Sequence, residues 1–256
     1  VITCRSADEL VKLRASNQLV ARILEALRAM VVPGATTAEI DAEAERLVRE
    51  AGAQPAFKGY RGFPATICAS RNHEVVHGIP SATTLVEGDI LSIDMGVKLD
   101  GYYGDSAVTV GVGAISAEAQ RLLDVTEASL YRGIDAVKPG ARVSDIGQAV
   151  QEYVEAQGFT VVREFVGHGI GTKLHEEPQI PNYGPGGRGP RLAEGMVLAI
   201  EPMVNVGKPG VRVLSDGWTA ITVDEKLSAH FEHTVAVTAD GVEILTLRSA
   251  AVAAGR

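Results

Sequence analysis

Asp94 and Asp105 lie in SIDMGVKLDGYYGDSAVTV (92–110), which reads as a β-hairpin around Asp100-Gly101, a turn dipeptide whose residues tolerate positive φ. Asp has poor strand propensity, and a buried charge is expensive without a partner. A two-residue loop at Leu99-Asp100 sets the two carboxylates directly opposite each other, and a slightly different turn shifts them by about one pair and leaves them neighbours. Two more acids follow the same pattern downstream. EGDILSIDM (87–95) matches EGMVLAIEP (194–202), which places Glu201 in the position of Asp94. DSAVTV (105–110) matches EHTVAV (232–237), which places Glu232 in the position of Asp105. HGIP (77–80) matches HGIG (168–171), pairing His77 with His168.

Four carboxylates and one or two histidines on a strand floor make a site for divalent cations, because acids without metal repel and raise one another's pKa. Two ions about 3.5–4 Å apart, bridged by carboxylates, relieve that repulsion and can activate a water between them. Oxygen and imidazole donors together suit Mn, Fe, Co, Ni or Zn better than Ca and do not choose among them. For any one of these residues a surface hairpin with solvated acids is the simpler reading. It fits poorly with ILSIDMGV and MVLAIEPMV, where the acid follows an apolar run that should lie inside.

Other residues are weighed against plainer roles. His168 sits in a glycine-rich turn that does not spell a nucleotide-binding loop. His175 follows it by seven residues, beside the same site. His230 and His233 flank Glu232 and read as structural, since His233 on a strand points away from the face of the acid. Trp218, the only tryptophan, reads by default as a packing residue, and Cys68 as buried rather than reactive. His73-Glu74-Val75-Val76-His77 spells H-E-x-x-H, which binds zinc only on a helix. Val-Val leading into Gly-Ile-Pro predicts a strand, where the imidazoles stand roughly 13 Å apart, too far to chelate one ion.

The elements that position these residues come in two sets. Residues 7–31 and 117–137 read as amphipathic helices, the first opened by a capping box at Ser6-Ala7-Asp8-Glu9. Each is followed by a Pro-Gly break and a second helical stretch, VPGATTAEIDAEAERLVREAG (32–52) aligning with KPGARVSDIGQAVQEYVEAQG (138–158). Ile40, Ala44, Leu47, Val48 and Ala51 form the apolar stripe of the first copy, and Gly52 and Gly158 suit C′ positions. The chain therefore reads as one α+β domain, 1–256, with an internal duplication of about 7–110 and 117–247. Two pseudo-two-fold-related helix-helix-strand halves would form one antiparallel sheet with helices on its outer face. Residues 181–191 read as a Pro/Gly loop and SAAVAAGR (249–256) as a loosely ordered tail.

Composition narrows the class. A formal charge of −8 and a pI near 5.3 argue against a broad nucleic-acid footprint. No long uncharged apolar run predicts a membrane span, and VITCRSADEL lacks the pattern of a signal peptide. Two cysteines are too few for a disulfide framework, so a reduced, cytoplasmic chain is expected. A monomer is the default expectation.

Over essentially its full length the sequence resembles the type I methionine aminopeptidases. The resemblance rests on GYRGFPATICASRNHEVVHGIP, DILSIDMGVKLDGYYGDSA, GHGIGTKLHEEPQIPNY, LAEGMVLAIEPM and DGWTAIT with LSAHFEHTVAVT. It implies the curved, duplicated pita-bread fold and two divalent metal ions held by Asp94, Asp105, His168, Glu201 and Glu232, with Asp105 and Glu232 bridging. It further implies attack of a metal-held hydroxide on the carbonyl of an N-terminal methionine, in nascent proteins and in peptides with a small second residue. His175 would assist at the carbonyl oxygen, His77 would bond the scissile amide nitrogen, and Glu201 would shuttle the proton to the leaving amine. Tyr60, Phe63, Cys68, His77, Leu174, His175 and Trp218 would line the substrate pocket. Leu174 stands where Phe is common in the family, and Phe57 where a smaller residue is common. The implied partners are methionyl peptides and nascent chains, with ribosome association possible. The rival readings are an X-Pro peptidase of the same fold and a non-catalytic binding protein on that scaffold, although the latter lose metal ligands and all five are present here.

Overall fold

The computed structural model describes residues 1–247, so the expected tail lies outside the described residues. Helices α1 (Ala7–Arg28) and α2 (Thr37–Glu50) open the chain. The strands β1 (Gln54–Pro55), β2 (Ile67–Arg71), β3 (Glu74–Val76), β4 (Ile90–Leu99) and β5 (Tyr102–Gly111) follow. A second helix pair, α3 (Ala117–Asp135) and α4 (Val143–Ala156), leads into β6 (Thr160–Val161), β7 (Gly167–Gly169), β8 (Glu176–Ile180), β9 (Val197–Ile200) and β10 (Met203–Asn205). The remaining strands are β11 (Val211–Val213), β12 (Ala220–Thr222), β13 (Ser228–His230), β14 (His233–Val237) and β15 (Val242–Ile244).

The caps explain where the helices begin. Ser6 and Glu9 form the expected reciprocal box, with Glu9 N donating to Ser6 Oγ at 3.3 Å and Ser6 N to Glu9 Oε2 at 2.9 Å. Thr36 and Glu39 repeat it at α2, which therefore starts later than the stretch 32–52 as a whole. Gly52 and Gly158 take positive φ just past the helix ends, as C′ residues do. Of the predicted stripe on α2, Ile40, Ala44 and Val48 are fully buried, Leu47 is half-buried and Ala51 is exposed, being past the last helical turn.

All strand pairs are antiparallel, and among the described residues they form four sheets. β1-β4-β2 with β5 on β4 is the first, and β15-β14-β9-β7-β8 is the second large one. The single curved sheet expected of the fold is thus divided, but its two large parts are stitched across the middle. Glu232 N donates to Ala107 O at 3.0 Å, and Thr234 Oγ1 of β14 donates to Asp105 O of β5 at 2.8 Å. α1 packs on β4 and β5, and α3 packs on β5, β9, β10 and β13. One large apolar cluster runs under these helices, and a smaller one containing Leu13, Phe57, Phe63, Cys68 and Leu174 lies on the other side of the sheet centre.

Candidate metal centre and its pocket

β4 and β5 carry Asp94 and Asp105, in a register one step from direct opposition. The loop is Asp100-Gly101, both at positive φ (49° and 86°), so Leu99 pairs with Tyr102. Asp94 then lies opposite Ala107 and Asp105 opposite Gly96. The carboxylates are diagonal neighbours on one face, which corrects the directly opposed alternative. The reason is the turn: a two-residue hairpin loop needs positive φ at both central residues, which Asp-Gly supplies and Leu-Asp does not.

β9 and β14 carry the second pair at their ends. His233 pairs with Ile200, so Glu201 and Glu232 are the next residues outward on facing strands. β7 lies beside β9, with His168 opposite Ala199. The acid backbones are cross-braced, Ser106 Oγ donating to Glu232 O at 2.6 Å and Thr234 Oγ1 to Asp105 O at 2.8 Å.

These elements converge on one point. His168 Nε2 lies 3.7 Å from Asp105 Oδ2 and 3.6 Å from Glu201 Oε1. Asp105, His168 and Glu232 each offer a ligand atom, all within 4.8 Å of one another. His168 Nδ1 lies 2.9 Å from the Gly169 carbonyl, which makes Nδ1 the protonated nitrogen and leaves the Nε2 lone pair facing the acids. Burial, then the nearby His175, holds His168 down to about 3, so the ring is neutral. Burial pushes Asp94 up to about 7. Burial and then the neighbouring acids push Asp105, Glu201 and Glu232 well above the usual carboxylate range.

Asp94 Oδ1, Asp105 Oδ1 and Glu232 Oε1 are buried with no hydrogen-bond partner. Three orphaned carboxylate oxygens around a neutral imidazole are a poor resting arrangement for a protein alone and a good one for divalent cations. The residues present therefore fit a metal.

A cavity of about 180 Å³ joins this cradle to an apolar wall. All of the predicted pocket residues (Tyr60, Phe63, Cys68, His77, Leu174, His175 and Trp218) line it together with the five predicted ligands. Phe57 lines it too, and Arg61 stands at its mouth, where a wider opening of about 610 Å³ begins. Phe63 and Trp218 meet edge to face at 5.1 Å, and His77 lies against Phe165 at 5.2 Å. Burial lowers His77 to about 4, so it too is neutral, and its φ of 61° is rare for a residue with a side chain. His175 sits at the rim with Nδ1 2.9 Å from the Tyr60 hydroxyl. Cys68, opposite Asp94 in β2, is 4% exposed, and burial pushes its thiol up, so it is a packing residue.

H-E-x-x-H is no zinc helix. Asn72-His73 form a turn, Glu74–Val76 form β3, and only His77 of the two histidines reaches the cavity. His230, expected to be structural, lies beside the acids. Its Nε2 lies 3.7 Å from Glu201 Oε2, buried and without a hydrogen bond. His233, at the start of β14, points away to Thr246 and Tyr131, as expected.

A candidate metal centre beside an apolar pocket, framed by two helix pairs and antiparallel strands, defines a class of metal-dependent hydrolases. Residues 11–239 match metallopeptidase family M24, and the chain belongs to that family. Within it the chain is 54% identical to methionine aminopeptidase 1 of Bacillus subtilis, over 96% of this chain and 99% of that protein. The crystal structure of methionine aminopeptidase from Rickettsia prowazekii superposes with a TM-score of 0.95 at 43% identity, covering 96% of this chain and all of that one. The prolidase of Pyrococcus horikoshii shares the fold, at a TM-score of 0.78 and 21% identity, with this chain matching 64% of its length.

Proposed function

We propose that this chain removes N-terminal methionine from peptides and nascent proteins whose second residue is small, in a metal-dependent reaction. The observation that carries the reading is the continuity of the acid–imidazole cradle with an apolar, aromatic-walled cavity of about 180 Å³. A thioether is well suited to such walls, because sulfur makes favourable contacts with ring edges. The full-length likeness to methionine aminopeptidases supports the same reading and does not favour an X-Pro peptidase or a non-catalytic scaffold.

In this reading Asp94, Asp105, His168, Glu201 and Glu232 would hold two divalent ions of the Co, Mn, Fe, Ni or Zn group. Bound there, such ions supply Lewis acidity and a nucleophilic water at neutral pH. Tyr60, Phe63, Cys68, Leu174 and Trp218 grip the methionine side chain. His175, its Nδ1 engaged by Tyr60, offers the other ring nitrogen to the substrate carbonyl oxygen. Neutral His77 bonds the scissile amide nitrogen, and Glu201 carries the proton to the leaving amine. The two halves, about 7–110 and 117–247, are copies of one helix-helix-strand unit in a single domain. We further hold the chain to be a cytoplasmic monomer, tested by light scattering, with ribosome association tested by co-sedimentation. Among the described residues no helix is long and apolar enough to cross a membrane.

One assay tests the central claim. Purified protein with Mn(II) or Co(II) is offered Met-Ala-Ser and Ala-Pro-Ala, and cleavage of the first alone is expected. Cleavage of only the proline peptide, or of neither, overturns it. Met-Ala and Met-Gly peptides should also outrun Met-Leu and Met-Lys.

A further inference from the structure

Asp105 occupies a position in β5 where the hairpin offers its backbone nothing. The two-residue loop makes Leu99–Tyr102 the closing hydrogen-bonded pair, followed by Val97–Gly104 and Met95–Ser106. Asp105, opposite Gly96, belongs to the alternate set, so its N–H and C=O point away from β4. Both groups are partnered. Thr234 Oγ1 donates to the carbonyl at 2.8 Å, and the N–H donates to Asn17 Oδ1 at 3.2 Å.

Asn17 is unusual in its own element. It sits in the interior of α1 with no exposure, among Leu13, Val20, Ala21 and Leu24, where an apolar side chain would pack and where Asn is a mediocre helix former. Its amide is oriented by a second bond, Nδ2 donating to Leu13 O at 2.9 Å, which leaves Oδ1 facing β5. The helix comes close enough only because Gly104 has no side chain. A Cβ there would stand 2.8 to 2.9 Å from backbone atoms of Ser16 and Asn17.

We propose that Asn17 is a positioning residue for the metal cradle, holding the Asp105 N–H so that the carboxylate meets His168 and Glu232 at a fixed place. Without the acceptor, a buried N–H loses its partner, and the strand must shift or admit water to satisfy it. Metal–ligand distances tolerate only about 0.2 Å, so a small shift of Asp105 is felt at the ions. The inference rests on Asp105 being a metal ligand, as read above.

The test uses metal-free full-length protein titrated with Co(II), followed by calorimetry and by the visible absorption of the bound ion. Asn17→Leu keeps the volume and removes the acceptor. It should weaken Co(II) binding about tenfold or more, the range seen when groups that orient ligands are removed, and alter the absorption band. Asn17→Asp keeps an oxygen in place and should stay within about threefold of the unmodified protein, on the same scale. Leu24→Ala, on the same helix but facing the large apolar cluster, should lower Tm and leave Co(II) affinity unchanged. If Asn17→Leu does not fold, Asn17→Ala takes its place in the comparison. Unchanged affinity and spectrum in the folded variant overturn the proposal, as does equal weakening by Asn17→Asp or by Leu24→Ala. Asp105→Asn separates the two levels: if it binds Co(II) as tightly as the unmodified protein, the ligand reading itself fails, whatever Asn17 does.

Discussion

The N-terminal and C-terminal halves deliver acids to the same point by different means. In the first half β4 and β5 are ten-residue strands joined by a two-residue turn, and the acids sit inside the ladder. In the second, β9 and β14 have four and five residues, and the acids lie just beyond the paired ends, with β10–β13 inserted between them. The first half uses Asp and the second Glu. A short side chain on a continuous ladder is positioned by its backbone. A longer one at a strand end needs outside support, and Glu232 has it from Ala107 O and Ser106 Oγ. Precision in the second half is therefore borrowed from the hairpin of the first.

The sharpest way to break this comparison is Asp105→Asn. A neutral amide would hold cations far less well than the carboxylate proposed to bind them, and Asp105 lies 3.7 Å from His168 and within 4.8 Å of Glu232. We expect kcat/KM for Met-Ala-Ser to fall by about 10³-fold or more, persisting at saturating metal. Near-normal turnover under saturation would remove Asp105 from the proposed metal ligands.

The matched histidines differ in the same way, which sets the next effect. His168 faces the acids, whereas His77 lies between Phe165 and Trp218. His77→Ala should lower kcat by roughly 10²-fold with metal content intact. His168→Ala should lose metal. His73→Ala, in the turn before β3, should keep most activity with metal unchanged. Metal analysis alongside kinetics decides among them, and equal metal loss in the His73 and His77 variants would revive the zinc-helix reading.

These contrasts also mark what the amino-acid order could reveal. The acids, His77 and His168 were legible because the same residue types recur in the same order on apolar runs, a pattern local enough to survive without coordinates. The hairpin register was legible only to within a pair, since Leu-Asp and Asp-Gly compete for the loop until positive φ decides. The approach of His230 to Glu201 was not legible, since that acid lies 29 positions away and reaches it only across the sheet. Nothing in the sequence sets Asn17 apart, because its partner, Asp105, comes from another element.

Smaller in size is the pH dependence of metal stabilisation. Burial raises Asp94 to about 7, and burial with neighbouring charge raises the other three acids. A raised carboxylate pKa contributes stability below the unfolded value, near 4, and that contribution is lost as pH rises through the folded value. His168 is lowered to about 3, so it is neutral throughout this range and adds no proton competition. Metal binding must displace the acid protons at low pH and need not at high pH. The gain in Tm on adding Mn(II) to chelator-treated protein should therefore be larger at about pH 7.5 than at about pH 5.5. Equal gains would mean that the acids are already ionised in the metal-free fold.

The smallest effect compares two glycines at matching points of the halves, Gly88 before β4 and Gly195 before β9. Both have positive φ, 95° and 85°, so alanine is strained at each. Among the described residues, nothing outside its own chain neighbours would lie within 4 Å of a Cβ at Gly88. At Gly195 that Cβ would stand 2.7 Å from Arg5 O and 2.9 Å from Arg5 N, because the segment before α1 lies across this turn and Arg5 N donates to Gly195 O. Gly88→Ala should cost about 1 kcal/mol, the backbone strain alone. Gly195→Ala should cost about 2 kcal/mol or more, strain plus displacement of the N-terminal segment. Neither alters a ligand, so kcat/KM should stay within about twofold in both once folded. Thermal or urea unfolding gives the difference, and equal costs would mean that the N-terminal segment is held too loosely to resist a methyl group.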